Sequence, residues 1–174
     1  AVCSLRPVWD RSRRYLGALF TLRPADSVQR LVQRVVGAQA RFSFADIVGE
    51  SSAMQVAVRH ARVAANSSAP VLLLGEAGVG KELFAHAIHT ASARAGEPLV
   101  LLNCAAVPRT LLMGELFGYE GGQAGASEGR PGKIELAQGG TLILEDVGAL
   151  TVEAQTSLLR VIETQHLIRL GGQR

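Results

Sequence analysis

The 174-residue chain is poor in aromatic residues, cysteine and lysine, and it has no long hydrophobic run. One Trp, two Tyr and five Phe leave no stretch in which rings interleave with basic residues, which argues against a groove that stacks nucleic-acid bases. The two cysteines, Cys3 and Cys104, lie far apart and make no metal-ligand spacing. A reduced, cytoplasmic compartment is therefore the default expectation. No apolar run approaches the ~20 residues that a membrane-spanning helix needs, so no membrane partner is expected. The chain opens AVCSLRPVWD, with neither Met nor the basic start and long apolar stretch of a secretion signal.

What is present suffices for a packed core. Hydrophobic residues make up 48% and charged residues 19%, a balance that excludes a disordered chain. Charge is unevenly spread. Residues 1–45 hold eight arginines against Asp10 and Asp26, whereas the rest hold eight arginines and two lysines against thirteen acids. A basic front end could meet nucleic acid, but arginines scattered over a hairpin and a helix are more often a solvated face.

Residues 1–9 and 15–22 alternate apolar and polar as strands do, with Asp10–Arg14 as the polar turn between them. Ser27 can cap a helix to about Val36 that carries Val28, Leu31, Val32 and Val35 on one face. A hairpin with one helix cannot bury a core by itself, so residues 1–36 read as the end of a larger domain. A linker at 37–43 separates it from a second domain at 44–174. There, Ser51 or Ser52 caps a helix carrying Met54, Val58, Ala61 and Val63–Ala64. Val71–Leu74 reads as a strand buried on both faces of a parallel sheet. A helix runs from Lys81 to about Ser92 with Leu83, Phe84, Ala87 and Ile88 inward; Leu99–Leu102 and Thr141–Leu144 are two further buried strands. Thr151 caps a helix bearing Leu158, Leu159 and Ile162. Strands alternating with helices predict an α/β fold, a parallel sheet covered by helices.

Gly75-Glu76-Ala77-Gly78-Val79-Gly80-Lys81 has the spacing of a phosphate-binding P-loop. Its glycines permit backbone conformations closed to other residues, so that N–H groups can turn toward phosphate oxygens. The helix that follows aims its positive end at the same anion. Lys81 is one of only two lysines in a chain with sixteen arginines. Where arginine is the habitual base, lysine here suggests that a compact point charge is required. The usual motif continues with Ser or Thr to meet magnesium; here Glu82 follows, so that ligand is replaced or absent.

The second half of such a site is an acidic pair at the end of a buried strand, and Glu145-Asp146 follows Thr141–Leu144. One acid would hold hydrated magnesium and its neighbour would polarise the attacking water. Two adjacent acids could instead form a helix-capping turn. His86 and His89, three apart on a helix, lack a third metal ligand and read as solvent-facing or partly packed. Cys104 reads as a small apolar filler.

Together these segments resemble the AAA+ domain of sigma-54-dependent transcription activators (bacterial enhancer-binding proteins), over roughly Phe42 to the end. The resemblance rests on FADIVGESSAM at 44–54, GEAGVGKE at 75–82, LNCAAVP at 102–108, ELFGYE at 115–120, GGTLILEDVG at 139–148, and LLRVIE with Ile168–Gly172. It implies that Ile47, Val48 and Gly49 border the adenine of ATP, and that Glu82 is the family's own residue. It also implies that Asn103 switches the water-activating acid, that Glu145 and Asp146 serve Mg2+ and water, and that the whole protein forms a homo-oligomeric ring. Arg169 becomes a candidate for acting in trans. The residues LRPVWDRSRRYLGALFTLRPA resemble the last two strands of a PAS-type sensor domain running into a linker helix. A whole member would continue past Arg174 with further strands, arginine fingers, a helical lid and a helix-turn-helix for promoter DNA.

Two departures bear on function. The family's acids run Asp then Glu, whereas this chain has Glu145 then Asp146. The shorter Asp146 would hold a water ~1 Å out of reach, and misplacement on that scale can cost about a hundredfold in rate. The loop that contacts sigma-54 reads GAFTGA in the family; here it is Gly122-Gln123-Ala124-Gly125-Ala126, one residue shorter and without an aromatic. The expected function is an ATP-driven transcription regulator that remodels RNA polymerase. The alternative is a nucleotide-binding regulator or scaffold that neither hydrolyses ATP nor engages sigma-54.

Overall fold

The computed structural model describes residues 2–9, 15–23, 42–121 and 129–172. The chain divides into two compact units, Ala1–Val36 and Gly37–Arg174. In the first, β1 (Val2–Trp9) and β2 (Tyr15–Arg23) pair antiparallel from Val2 opposite Arg23 to Trp9 opposite Tyr15, with a register shift between Val8 and Trp9. The helix expected after Ser27 and the loop Gly122–Ala126 lie outside the described residues.

In the second unit, α1 (Ser52–Ala65) starts where Ser51 accepts the Met54 N–H on its hydroxyl at 3.2 Å. Of its apolar side chains, Ala61 is buried and Met54 and Val58 are half-buried, but Val63 is 72% exposed. The helical period places Ala61 and Ala65 on the packed side and Val63 away from it. Helix α2 (Lys81–Ala91) packs on α1 through Phe44, Ala61 and Ala87, flanked by Ile47, Val58, Phe84 and Ile88.

The sheet is built from β3 (Leu99–Asn103) and β6 (Thr141–Glu145), which pair in parallel, Leu99 opposite Thr141 and Asn103 opposite Glu145. Side chains alternate across a strand, so Val100, Leu102, Leu142 and Leu144 share one face, and Asn103, Thr141, Ile143 and Glu145 share the other. The first face meets the larger core. There Leu102 and Leu144 pack with Leu112, Leu116 and Phe117 of α3 (Arg109–Phe117) and with Ala154 and Leu158 of α5 (Val152–Thr164). Leu112 and Leu116 are 1% and 0% exposed. Burial of such side chains contributes about 1.5–3 kcal/mol each. After α3, β4 (Gly118–Tyr119) pairs antiparallel with β5 (Arg130–Pro131), and the short α4 (Lys133–Leu136) leads toward β6. Leu170 closes the unit by a parallel bridge to Tyr119.

Two expectations change. Val71–Leu74 is not a strand: Val71, Leu72 and Leu74 are 46%, 68% and 84% exposed. Burial on both faces requires neighbouring strands, and among the described residues none runs beside this segment. On α5, Thr151 caps as expected, its hydroxyl accepting the Ala154 N–H at 3.2 Å. Leu159 and Ile162, however, are 55% and 40% exposed, because Ala154, Leu158 and Val161 form the inward i, i+4, i+7 stripe.

Candidate nucleotide-binding site

The loop Gly75–Gly80 turns directly into α2. Gly78 and Gly80 have φ of 78° and 92°, a region that costs residues with a side chain about 1–2 kcal/mol, and Gly80 is the N-cap. No side chain caps the helix at Gly80, so the N–H groups of its first turn face outward at the positive end of the helix dipole. Lys81 folds back over the loop: its Nζ donates to Gly75 O at 2.9 Å and to Glu76 O at 2.6 Å. The ammonium therefore stands over the mouth of the loop that its own backbone forms. Glu82, on the first turn, lies 3.7 Å from His86 Nε2.

The segment before α1 splits its three expected contacts. Ile47 packs into the small core with Phe44, Val48 is 92% exposed, and Gly49 lies against Met54. Arg62 covers the Phe44 ring at 4.5 Å, which seals the far side of that core.

The acidic pair is brought to Asn103 by strand register. Asn103 Nδ2 donates to Glu145 Oε2 and to Asp146 Oδ2, 3.2 Å each, while Asn103 Oδ1 accepts the N–H groups of Ala105 and Ala106 at 2.9 and 3.0 Å. The backbone bonds hold the amide in one orientation, with its donor toward the acids. Glu145 is half-buried at the strand end; Asp146 is exposed, with φ 50° in the left-handed region, where the chain swings into a short 3-10 turn, Val147–Ala149. That conformation turns the Asp146 carboxylate back beside Glu145, so two residues consecutive in sequence meet the same amide. Beneath them Cys104 is 2% exposed; burial, with Asp146 and Glu145 adding to it, pushes its thiol pKa up. It is a packing residue with suppressed thiolate character.

Three features escaped the sequence reading. His86 and His89, expected to be solvent-facing or partly packed, are each 2% exposed. His86 meets the Phe42 ring edge-on at 5.7 Å, and His89 Nδ1 lies 2.8 Å from Thr141 Oγ1. A helical pattern cannot reveal a partner 52 positions away in sequence. Arg169 is held within its own chain, donating from Nε and Nη2 to Glu135 at 2.9 and 2.7 Å. A cleft of ≈ 740 Å³ runs beside that pair, lined by α5, Glu135 and the segment 166–172; of the residues singled out from sequence it holds Ile168, Arg169 and Gly172, and none of the phosphate-loop or acidic residues. Among the described residues no cluster of three or more His, Cys, Asp or Glu is arranged to hold a metal, and no helix is long and apolar enough to cross a membrane.

The profile of the sigma-54 interaction domain matches residues 47–174. The chain is 38% identical over 170 residues to a signal-transduction and transcriptional-control protein of Clostridium beijerinckii, covering 97% of this chain and 27% of that protein. It is 48% identical over 131 residues to a Nif-specific regulatory protein of Rhizobium leguminosarum bv. trifolii, covering 75% of this chain and 37% of the relative. It thus spans between about a quarter and somewhat over a third of the length of these relatives. Among solved structures, NtrX from Brucella abortus in complex with ATP superposes with a TM-score of 0.67 at 32% identity, covering 85% of this chain and 30% of NtrX. The Gly75–Lys81 loop, the strand that ends in Glu145 and the parallel α/β sheet all fall within the matched region, and the chain belongs to the sigma-54 interaction domain family of AAA+ proteins.

Proposed function

We propose that this chain binds ATP and is the first part of the motor module of a transcription regulator that uses ATP hydrolysis to remodel RNA polymerase. The observation that carries the reading is the phosphate loop, with Gly78 and Gly80 in left-handed conformations, an uncapped helix start and the Lys81 ammonium poised over the loop mouth. The Gly75–Glu82 amides and Lys81 then bind phosphate oxygens, and Ile47, Val48 and Gly49 border the base. The relatives' descriptions as transcriptional-control and Nif-specific regulatory proteins support the regulatory reading.

Mg2+ is the cation that suits the acids. Glu145 and Asp146 offer hard carboxylate oxygens converging on one amide, and two carboxylates without a larger cage suit an ion that keeps waters and shares substrate phosphates. When bound, the ion neutralises developing phosphate charge. Glu145 holds it, Asp146 orients water, and Asn103 fixes both acids. In the same reading the whole protein works as a cytoplasmic ring. Promoter DNA is reached through a separate helix-turn-helix domain, and residues 1–36 end a PAS-like sensor. In this reading contact with sigma-54 is weak, since Gly122–Ala126 carries no aromatic tip. The order Glu145-Asp146 favours slow turnover over tight binding as the point of difference from relatives.

The test is equilibrium binding of a fluorescent ATP analogue to the folded chain. Micromolar affinity lost in Lys81→Ala supports the reading; equal binding by wild type and Lys81→Ala, or none, sinks it. Phosphate release by the whole protein, compared with its Glu145→Asp/Asp146→Glu variant, then separates motor from binding-only regulator. A large gain on restoring the usual order identifies the native protein as binding-only.

A further inference from the structure

We propose that the His89–Thr141 hydrogen bond is a positioning link that sets how far the acidic pair stands from the phosphate loop, and so governs how strongly a divalent cation tightens nucleotide binding. The inference rests on the nucleotide-binding reading above and concerns the coupling between its two halves.

The two halves stand on separate cores. The phosphate loop is carried by α2, which packs on α1 through Phe44, Ala61 and Ala87. The acids are carried by β6, whose Leu144 belongs to the cluster built by α3 and α5. His89, near the end of α2, spans from one to the other: its Nδ1 lies 2.8 Å from Thr141 Oγ1, at the first residue of β6, and the ring is 2% exposed. Thr141 shares its strand face with Glu145 and, by register, with Asn103. The helix therefore touches the face on which the acids lie, at the end remote from them.

Geometry turns this contact into a pivot. Lys81 is eight residues before His89, ~12 Å along a helix. Glu145 is four residues after Thr141, ~13 Å along a strand. Two rigid arms of nearly equal length thus run from one hydrogen bond to the two halves of the site. A tilt of ~5° about the pivot moves the tip of a ~12 Å arm by ~1 Å, a displacement that can cost about a hundredfold where charges must converge. A hydroxyl can donate or accept, so the bond survives in either neutral tautomer of His89. Burial and the neighbouring His86 favour that neutral form. Neither side chain touches a reacting group; both are positioning residues.

The experiment measures affinity of this chain for the fluorescent ATP analogue with and without Mg2+. Thr141→Val removes the hydroxyl while keeping a strand-favouring shape, Thr141→Ser keeps the hydroxyl, and His89→Phe keeps a planar ring without the nitrogen. The link predicts that Thr141→Val and His89→Phe lower the Mg2+-dependent gain in affinity about tenfold or more, with Mg2+-free affinity within about threefold of wild type, and that Thr141→Ser restores the gain. An unchanged Mg2+ gain in Thr141→Val overturns the link, as does the absence of any Mg2+ gain in wild type. Equal loss of affinity with and without Mg2+ also overturns it, since that marks general loosening. No binding by wild type sinks the nucleotide reading itself and takes the link with it.

Discussion

Arg169 and Glu135 form a two-point ion pair, Nε to Oε1 at 2.9 Å and Nη2 to Oε2 at 2.7 Å, that ties the segment after α5 to α4 at the base of the β4–β5 stem. The Glu135 hydrogen bond raises the Arg169 pKa, ahead of smaller contributions from Glu135 and Glu120 charge, so the guanidinium stays protonated. A residue engaged this way is not free to reach a neighbouring subunit without breaking it.

The two side chains are 30% and 25% exposed, which limits the energy of the pair. A double-mutant cycle of Arg169→Met and Glu135→Gln is expected to give a coupling of about 1 kcal/mol in chemical denaturation, falling as salt is raised. A coupling near zero at low salt would mean that the fork is ornamental.

Gly114 lies in α3 where a Cβ would run into the Tyr119 ring. Gly114→Ala should therefore destabilise the chain by about 2 kcal/mol, despite the better helix propensity of alanine. In a Tyr119→Ala background the clash disappears and the same substitution should stabilise by up to about 1 kcal/mol. The reversal of sign is the diagnostic, read from urea midpoints.

Burial, followed by the charge of His86, holds the His89 pKa below its ordinary 6.5. The unfolded chain then binds more protons than the folded one on the acid side of that value. Stability from this group is thus full above pH 6.5 and is lost as pH falls below it. Thermal melting should drop between about pH 7.5 and about pH 5.5, and the drop should be shallower in His89→Phe. Parallel profiles for the two proteins would remove His89 as its source.

Gln165 ends α5 with φ 57°, in the left-handed region, and its backbone N–H caps Val161 O. Gly at this position adopts that conformation without strain, so Gln165→Gly should raise stability by about 0.5–1 kcal/mol, worth roughly 1–4 °C in Tm. A lower melting point would show that the Gln165 side-chain bond to Ile162 O, at 3.0 Å, outweighs the backbone strain.

Sequence by itself determined the local half of this protein. Glycine spacing and one lysine define the Gly75–Lys81 turn because backbone freedom and a helix start are properties of consecutive residues. A cap at Ser51 or Ser52, which the structure assigns to Ser51, and one at Thr151 were readable for the same reason: a hydroxyl reaches an N–H three residues on, whatever the rest of the chain does. The acids after an apolar run were likewise legible as a pair. Tertiary structure alone decided what meets across distance. The parallel register put Asn103 beside Glu145, the left-handed turn at Asp146 brought the second acid to the same amide, and a buried imidazole found Thr141 across 52 residues. It also decided that the apolar run Val71–Leu74 stands exposed, and that Leu159 and Ile162 face outward while Val161 packs. Hydrophobicity sets what a segment gains by burial, but only the neighbouring elements determine whether that burial is available.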